Sequence, residues 1–157
     1  MPKLILLMRH AEKPADDIDP GLSPEGAARA KKLATYIPQT FGSIGFLFAS
    51  APSKHSIRPI ATITPLSVAI GVPINKGNAD QDYLVLAHEL LSDEKYDGAT
   101  VLICWHHGHL PDFAEALGAS SSQVGERWDP LVFILIWRLD YPPGSALPTL
   151  TPITEPF

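Results

Sequence analysis

The sequence predicts an α/β domain: a three-layer sandwich with a mostly parallel central sheet and helices on both faces. Three observations carry that prediction. Short, continuously apolar runs stand at Leu4–Met8, Gly45–Ala49 and Thr100–Cys104, the pattern of strands buried on both faces of a parallel sheet. Segments with helix start and stop signals lie between them, and that alternation is the mark of βα units. The length, 157 residues, suits one domain, so residues 1–157 are read as a single unit.

Each element follows in order. Leu4-Ile5-Leu6-Leu7-Met8 is the first strand, and Ala11 to Gly21, polar and rich in Asp and Pro, is a loop. Ser23-Pro24-Glu25 opens a helix with an N-cap serine, a proline at the first helical position and an acid in the first turn. Ala27, Ala30, Leu33, Ala34 and Ile37 form its inner face, and Pro38 is expected to end it. The second strand is Gly45–Ala49, followed by a loop over Ser50–Ile57. A helix is expected from Pro59 to Ile70, kinked or restarted at Pro65 and closed by Gly71. Val72-Pro73-Ile74 reads as a short edge strand, because proline cannot donate to a central ladder. Asp82–Leu91 is a helix, Thr100–Cys104 a strand, Pro111–Leu117 a helix stopped at Gly118, and Leu131–Leu139 the last strand. From Tyr141 to Phe157 the chain carries Pro142, Pro143, Pro148, Pro152 and Pro156, and is expected to be an extended, loosely attached tail.

Composition narrows the function classes. The net charge is −5 without a basic stripe, which argues against nucleic acid or an anionic membrane as a general partner. Cys104, the lone cysteine, can form no intrachain disulfide and reads as a buried thiol. The apolar run after Lys3 is cut short by Arg9 and is too brief for a signal-peptide core. Leu131–Trp137 is too short to cross a bilayer. A cytoplasmic location is the default expectation.

Ligands of open α/β sheets bind beyond the carboxyl ends of the strands. Here those ends bring Arg9 and His10; then Ser50, Ser53, Lys54, His55 and Arg58; then His106, His107 and His109. The result is a local basic pocket in an acidic chain, suited to a polyanion. Phosphoryl transfer is the chemistry it fits. A neutral imidazole attacks phosphorus and forms a covalent intermediate that water hydrolyses. Arginine forks hold the equatorial oxygens. The scheme requires no cofactor and no metal.

Four blocks then resemble, in order, the histidine phosphatase (phosphoglycerate-mutase-like) superfamily. They are Leu6-Leu7-Met8-Arg9-His10-Ala11-Glu12-Lys13; Gly21-Leu22-Ser23-Pro24-Glu25-Gly26; Ala49-Ser50 with Arg58-Pro59-Ile60-Ala61-Thr62; and Val101 to Pro111. The resemblance implies a phosphatase with His10 as the phosphorylated nucleophile. It implies Arg9 and Arg58 as phosphoryl ligands and a second pocket histidine; beside these, Lys13, placed to greet an anionic substrate, and Ser53, in the loop after the second strand, are candidate phosphate-binding residues. The family pattern sets an aliphatic residue four positions after this histidine, so Leu110 favours His106 for that role, whereas a one-residue bulge would favour His107. The loop 51–57 is longer than the family pattern, so Lys54 is a further candidate. Asp80, Asp82 and Glu12 are the candidates for general acid. Lys13–Gly21 and Lys76–Tyr83 are the candidate substrate walls. The implied substrate is a small phosphomonoester or a phosphohistidine, in a metabolite or a phosphoprotein.

Two rival readings stand beside this one. A zinc hydrolase could draw on His106, His107 and His109 with Asp112, although vicinal strand-end histidines point to opposite faces. A non-catalytic phospholigand-binding module is the other. His88 reads as a packing or surface histidine, and Trp105, Trp128 and Trp137 as core or sheet cover.

Overall fold

A computed structural model describes residues 1–157. Six strands form one sheet: β1 (Leu4–Arg9), β2 (Phe46–Ala49), β3 (Ile74–Asn75), β4 (Thr100–Trp105), β5 (Leu135–Asp140) and β6 (Thr149–Thr154). Their spatial order is β3-β2-β4-β1-β5-β6. The pairs β1–β4, β2–β4 and β2–β3 are parallel, while β5 is antiparallel to both β1 and β6. Strand β5 is therefore the one that runs against the other five.

The period-two alternation of the strands sorts side chains to the two faces. Ile5, Leu7, Val101, Ile103 and Trp105 share a core with α3 (Tyr83–Ser92) and α4 (Leu110–Ala116), through Leu86, Leu90, Leu110 and Phe113. Leu4, Leu6, Met8, Leu102 and Cys104 share the other with α1 (Pro24–Phe41) and α2 (Arg58–Ile70), through Leu33, Ile37, Ile63 and Leu66. Every residue of β1 and of β4 is buried, and this is why both runs are apolar without alternation. The three layers match the expected fold class.

Helix α1 begins as its sequence directs: the Ser23 hydroxyl accepts the Gly26 N–H at 3.0 Å, with Pro24 in the first turn. Pro38 does not end it. The helix runs one further turn to Phe41 and stops at Gly42 (φ 81°), whose N–H donates to the Pro38 carbonyl at 3.1 Å. Proline removes one intrahelical donor, which costs least so near a terminus. Pro65 likewise lies inside α2.

Two further expectations are corrected. Strand β5 starts at Leu135, not Leu131, and residues 131–134 form a loop in which the Val132 carbonyl accepts from Arg9 at 3.3 Å. The segment from Tyr141 to Phe157 is not loosely attached. Tyr141 is buried and its hydroxyl donates to the Leu117 carbonyl at 2.6 Å, while β6 pairs with β5 along its length, Pro152 opposite Trp137. Proline is tolerated there because β6 is the edge of the sheet. A short helix, α5 (Ser121–Val124), was not foreseen. No helix is long and apolar enough to cross a membrane.

Candidate active site

The parallel register sets Arg9 beside Trp105, so the next residues, His10 and His106, leave the sheet side by side. The His10 N–H donates to the Trp105 carbonyl at 3.2 Å, and the two imidazole centroids lie 5.3 Å apart, edge to face. His10 is 3 % exposed. Its Nδ1 lies 2.7 Å from the Ala11 carbonyl. A carbonyl only accepts, so Nδ1 carries the proton and the lone pair is on Nε2.

That geometry is held from below. The Ala11 N–H donates to the Thr62 hydroxyl at 2.8 Å, and the same hydroxyl donates to the Arg58 carbonyl at 2.8 Å. One threonine, a turn beyond Arg58 on α2, thus ties the loop of His10 to the helix start that presents the second arginine. Arg58 is positioned in turn by donating to the carbonyls of Gly21 (Nε, 2.9 Å) and Asp19 (Nη2, 2.6 Å). Arg9 is 2 % exposed. Its Nη1 donates to the Pro130 carbonyl at 2.6 Å, its guanidinium carbon lies 3.9 Å from the Phe133 ring centroid, and its buried Nε has no partner.

These groups line one cleft of about 460 Å³, with Lys13, Ser53, His55, Ser56, Asp80, Gln81, His107 and Gly108, and without an apolar side chain. Burial, then the charge of Arg58, lowers the Arg9 guanidinium to about 10. Burial, and after it the charges of Arg9, His106 and Arg58, lowers His10 to about 3 against the bond to Ala11. Burial and then Arg58 lower His106 to about 4. Both imidazoles are neutral near pH 7. Since the same cations cause part of each shift, a dianion among them would reverse it.

The structure separates the three carboxylate candidates. Glu12 is clamped two-pronged by Arg29, Oε1 to Nε at 2.8 Å and Oε2 to Nη2 at 3.1 Å. Burial opposes ionisation, but the Arg29 hydrogen bonds hold the carboxyl below its ordinary range. A carboxylate so held has no proton to give, and Glu12 is withdrawn as the acid. Asp82 is exposed and does not line the cleft. Asp80 does line it. Its Oδ1 is buried without a partner, its Oδ2 lies 3.5 Å from His109 Nε2, and burial raises it against the opposing charge of His109.

Of the other expected residues, Ser53 reaches the cleft, but its hydroxyl already accepts the N–H groups of Ser56 and His55 at 3.1 and 3.3 Å. Lys13 stands exposed at the rim, and Lys54 does not line the cleft. His107 lines it, with burial as the first cause of its lowered pKa. The structure does not favour the zinc alternative. No three His, Cys, Asp or Glu side chains converge as a ligand set, because His106 turns to His10 while His109 turns to Asp80.

Sequence reasoning missed the bridging Thr62, the support of Arg9 by residues 130–133, and Arg29. The last joins Glu12 to Glu155 (3.1 Å) and to the Phe157 carbonyl (2.6 Å). A hydroxyl one turn after Arg58 was the only local signal for any of them.

This arrangement, paired histidines and arginines at the carboxyl edge of a three-layer sheet with one reversed strand, has the fold of the histidine phosphatases (phosphoglycerate-mutase-like). Particular solved structures share it over nearly the whole chain. A protein histidine phosphatase SixA complexed with tungstate superposes with a TM-score of 0.68 at 15% identity, covering 96% of both chains. A mycobacterial glucosyl-3-phosphoglycerate phosphatase with inorganic phosphate gives 0.61 at 12% identity, covering 98% of this chain and 96% of that one. The same mycobacterial enzyme with VO3 gives 0.62 at 12% identity, over 98% and 99%. No sequence-family model matches the chain, and no curated protein does.

Proposed function

We propose that the protein is a metal-independent phosphatase that hydrolyses a phosphomonoester or a phosphohistidine through a phosphorylated His10. The observation that carries this is the 2.7 Å bond from His10 Nδ1 to the Ala11 carbonyl, which leaves Nε2 as a free nucleophile in a cleft walled by Arg9, Arg58 and His106.

In the first step the Nε2 lone pair forms the N–P bond and the bond from phosphorus to the leaving group breaks. Arg9, Arg58 and a neutral, hydrogen-bond-donating His106 take the charge on the equatorial oxygens. Asp80 hands the departing atom its proton, consistent with a half-buried carboxyl on the same cleft whose pKa burial raises. In the second step the Asp80 carboxylate accepts a proton from water. That water attacks phosphorus, the N–P bond breaks, and phosphate and free imidazole are regenerated.

The test is turnover of aryl phosphates with a denaturing alkaline quench. Labelled phosphate should be trapped as an acid-labile, base-stable adduct. His10→Ala should abolish both turnover and adduct while the circular dichroism spectrum is kept, and chelators should leave activity unchanged. Asp80→Asn should slow alkyl phosphates far more than p-nitrophenyl phosphate, about 100-fold against little, since a good leaving group needs no proton. Full activity in His10→Ala would overturn the reading.

A further inference from the structure

The catalytic cleft offers no apolar surface to the organic part of a substrate. Two cavities adjoin it. The larger, about 640 Å³, shares Lys13 with it and is walled by Pro14, Pro130, Leu131 and Phe133, with Asp17 and Glu25 at its margin. The smaller, about 230 Å³, shares His107 and Gly108 and holds Arg127 and Trp128. Ligand sites run from roughly 300 to 1,000 Å³, a range that includes the larger cavity and not the smaller.

We propose that the larger cavity is the leaving-group site, and that it takes an apolar leaving group whose far end is cationic or neutral and carries no second anion. This rests on the phosphatase reading above. Continuity with the reacting centre comes from Phe133, whose ring lies 6.1 Å from that of His10 and packs on Arg9. The apolar contact comes from Leu131, which is 84 % exposed; a large aliphatic side chain standing open on a cavity wall gains by being covered. The charge preference comes from the margin. The Glu12 carboxylate facing this cavity is neutralised by Arg29. That leaves Asp17 and Glu25 against the single cation Lys13, and Lys13 also stands on the rim of the phosphate cleft. A second phosphate or carboxylate on the substrate would meet two carboxylates, while an ammonium would meet complementary charge.

The test compares two phenyl phosphates, one para-substituted with an aminomethyl and one with a carboxymethyl group, on the parent, Asp17→Lys and Leu131→Ala. Both positions are exposed and neither belongs to the reacting centre. The parent should favour the ammonium compound in kcat/KM by about threefold or more, the scale of a partly exposed charge contact. Asp17→Lys should reverse that ratio, and the ratio of ratios cancels the different reactivities of the two phenols. Leu131→Ala should raise KM for both about fivefold to tenfold and leave kcat, as expected for partial loss of an apolar contact. Equal ratios in parent and Asp17→Lys, or an unchanged KM in Leu131→Ala, would overturn the assignment. A carboxymethyl preference lost in Arg127→Ala would move the subsite to the smaller cavity and also overturn it. If neither compound is turned over by the parent, the phosphatase reading itself fails, which is a distinct outcome.

Discussion

Gly26 is a place where two physical effects oppose each other and the structure decides between them. It lies in the first turn of α1, where replacing glycine by alanine ordinarily gains about 1 kcal/mol of helix stability. Here a Cβ would fall 2.3 Å from the Glu12 carbonyl oxygen and 2.9 Å from the Glu12 nitrogen. Both are backbone atoms that cannot rotate away, so the chain must part by about 1 Å, at an overpacking cost of about 1–3 kcal/mol. The Glu12 carbonyl also accepts from the Ser23 N–H at 2.9 Å and the Ser23 hydroxyl at 3.2 Å. Weakening those two bonds costs roughly 1 kcal/mol each. The costs win, and Gly26→Ala should be destabilised by about 2–4 kcal/mol, read as a lower urea midpoint at unchanged slope. Because Glu12 follows the Ala11 carbonyl that orients His10, the same shift should lower kcat on aryl phosphates by about 100-fold. A Gly26→Ala protein as stable as the parent, or more so, would refute the claim that α1 is seated directly on the backbone of the His10 loop.

Acidification should weaken the fold by a definite route. Burial lowers the folded-state pKa of His10 to about 3 and of His106 to about 4. Below about pH 6.5 the unfolded chain therefore gains two protons that the folded one refuses, and stability falls by about 1.4 kcal/mol per pH unit for each histidine. Glu155, raised by burial to about 7, works in the opposite sense down to the ordinary carboxyl range and offsets about one of them. The net loss is about 1.4 kcal/mol per unit. Urea midpoints from pH 6.5 to 5 should show it, and the slope should flatten or reverse when both histidines are replaced by Gln; an identical slope in that variant would sink the account. Arg29→Met strips two buried carboxylates of their partner and should cost about 3–5 kcal/mol. Arg29→Lys, unable to fork onto Glu12, should recover part of the melting temperature; a Met variant that melts with the parent would show the pairs to be inconsequential.

Much of this architecture was legible in the chain because its central strands are buried on both faces. Leu4–Met8 and Thr100–Cys104 have no solvent-facing positions to interrupt them. The edge was harder to read. Thr149 to Thr154 alternates polar and apolar side chains around Pro152, which resembles an extended tail until β5 is there to pair with it. The apolar run from Leu131 looked continuous with β5, but the chain needs its carbonyls near 130–132 turned toward Arg9. That Arg9, His10 and His106 meet in one cleft followed from the rule that ligand sites gather at strand ends. Asp80 and Asp82 could not be told apart, since they share one short 3₁₀ turn and only its orientation places the first on the cleft. Arg29 with Glu12 and Glu155 was invisible because the pairing joins residues that only the finished fold brings together.

The placement of β1 has a consequence for how the molecule comes to be made. Of the six strands of the sheet, the one synthesised before the other five lies in the middle, and Leu4 is bonded on one side to the level of Thr100 and on the other to Asp140. Until both neighbours emerge, six consecutive buried-type residues present two open edges and two apolar faces at once. An unfinished chain thus displays a template to which another copy can add as readily as its own later strands. The same centrality that shields His10 in the completed domain makes its strand the most vulnerable segment of the incomplete one.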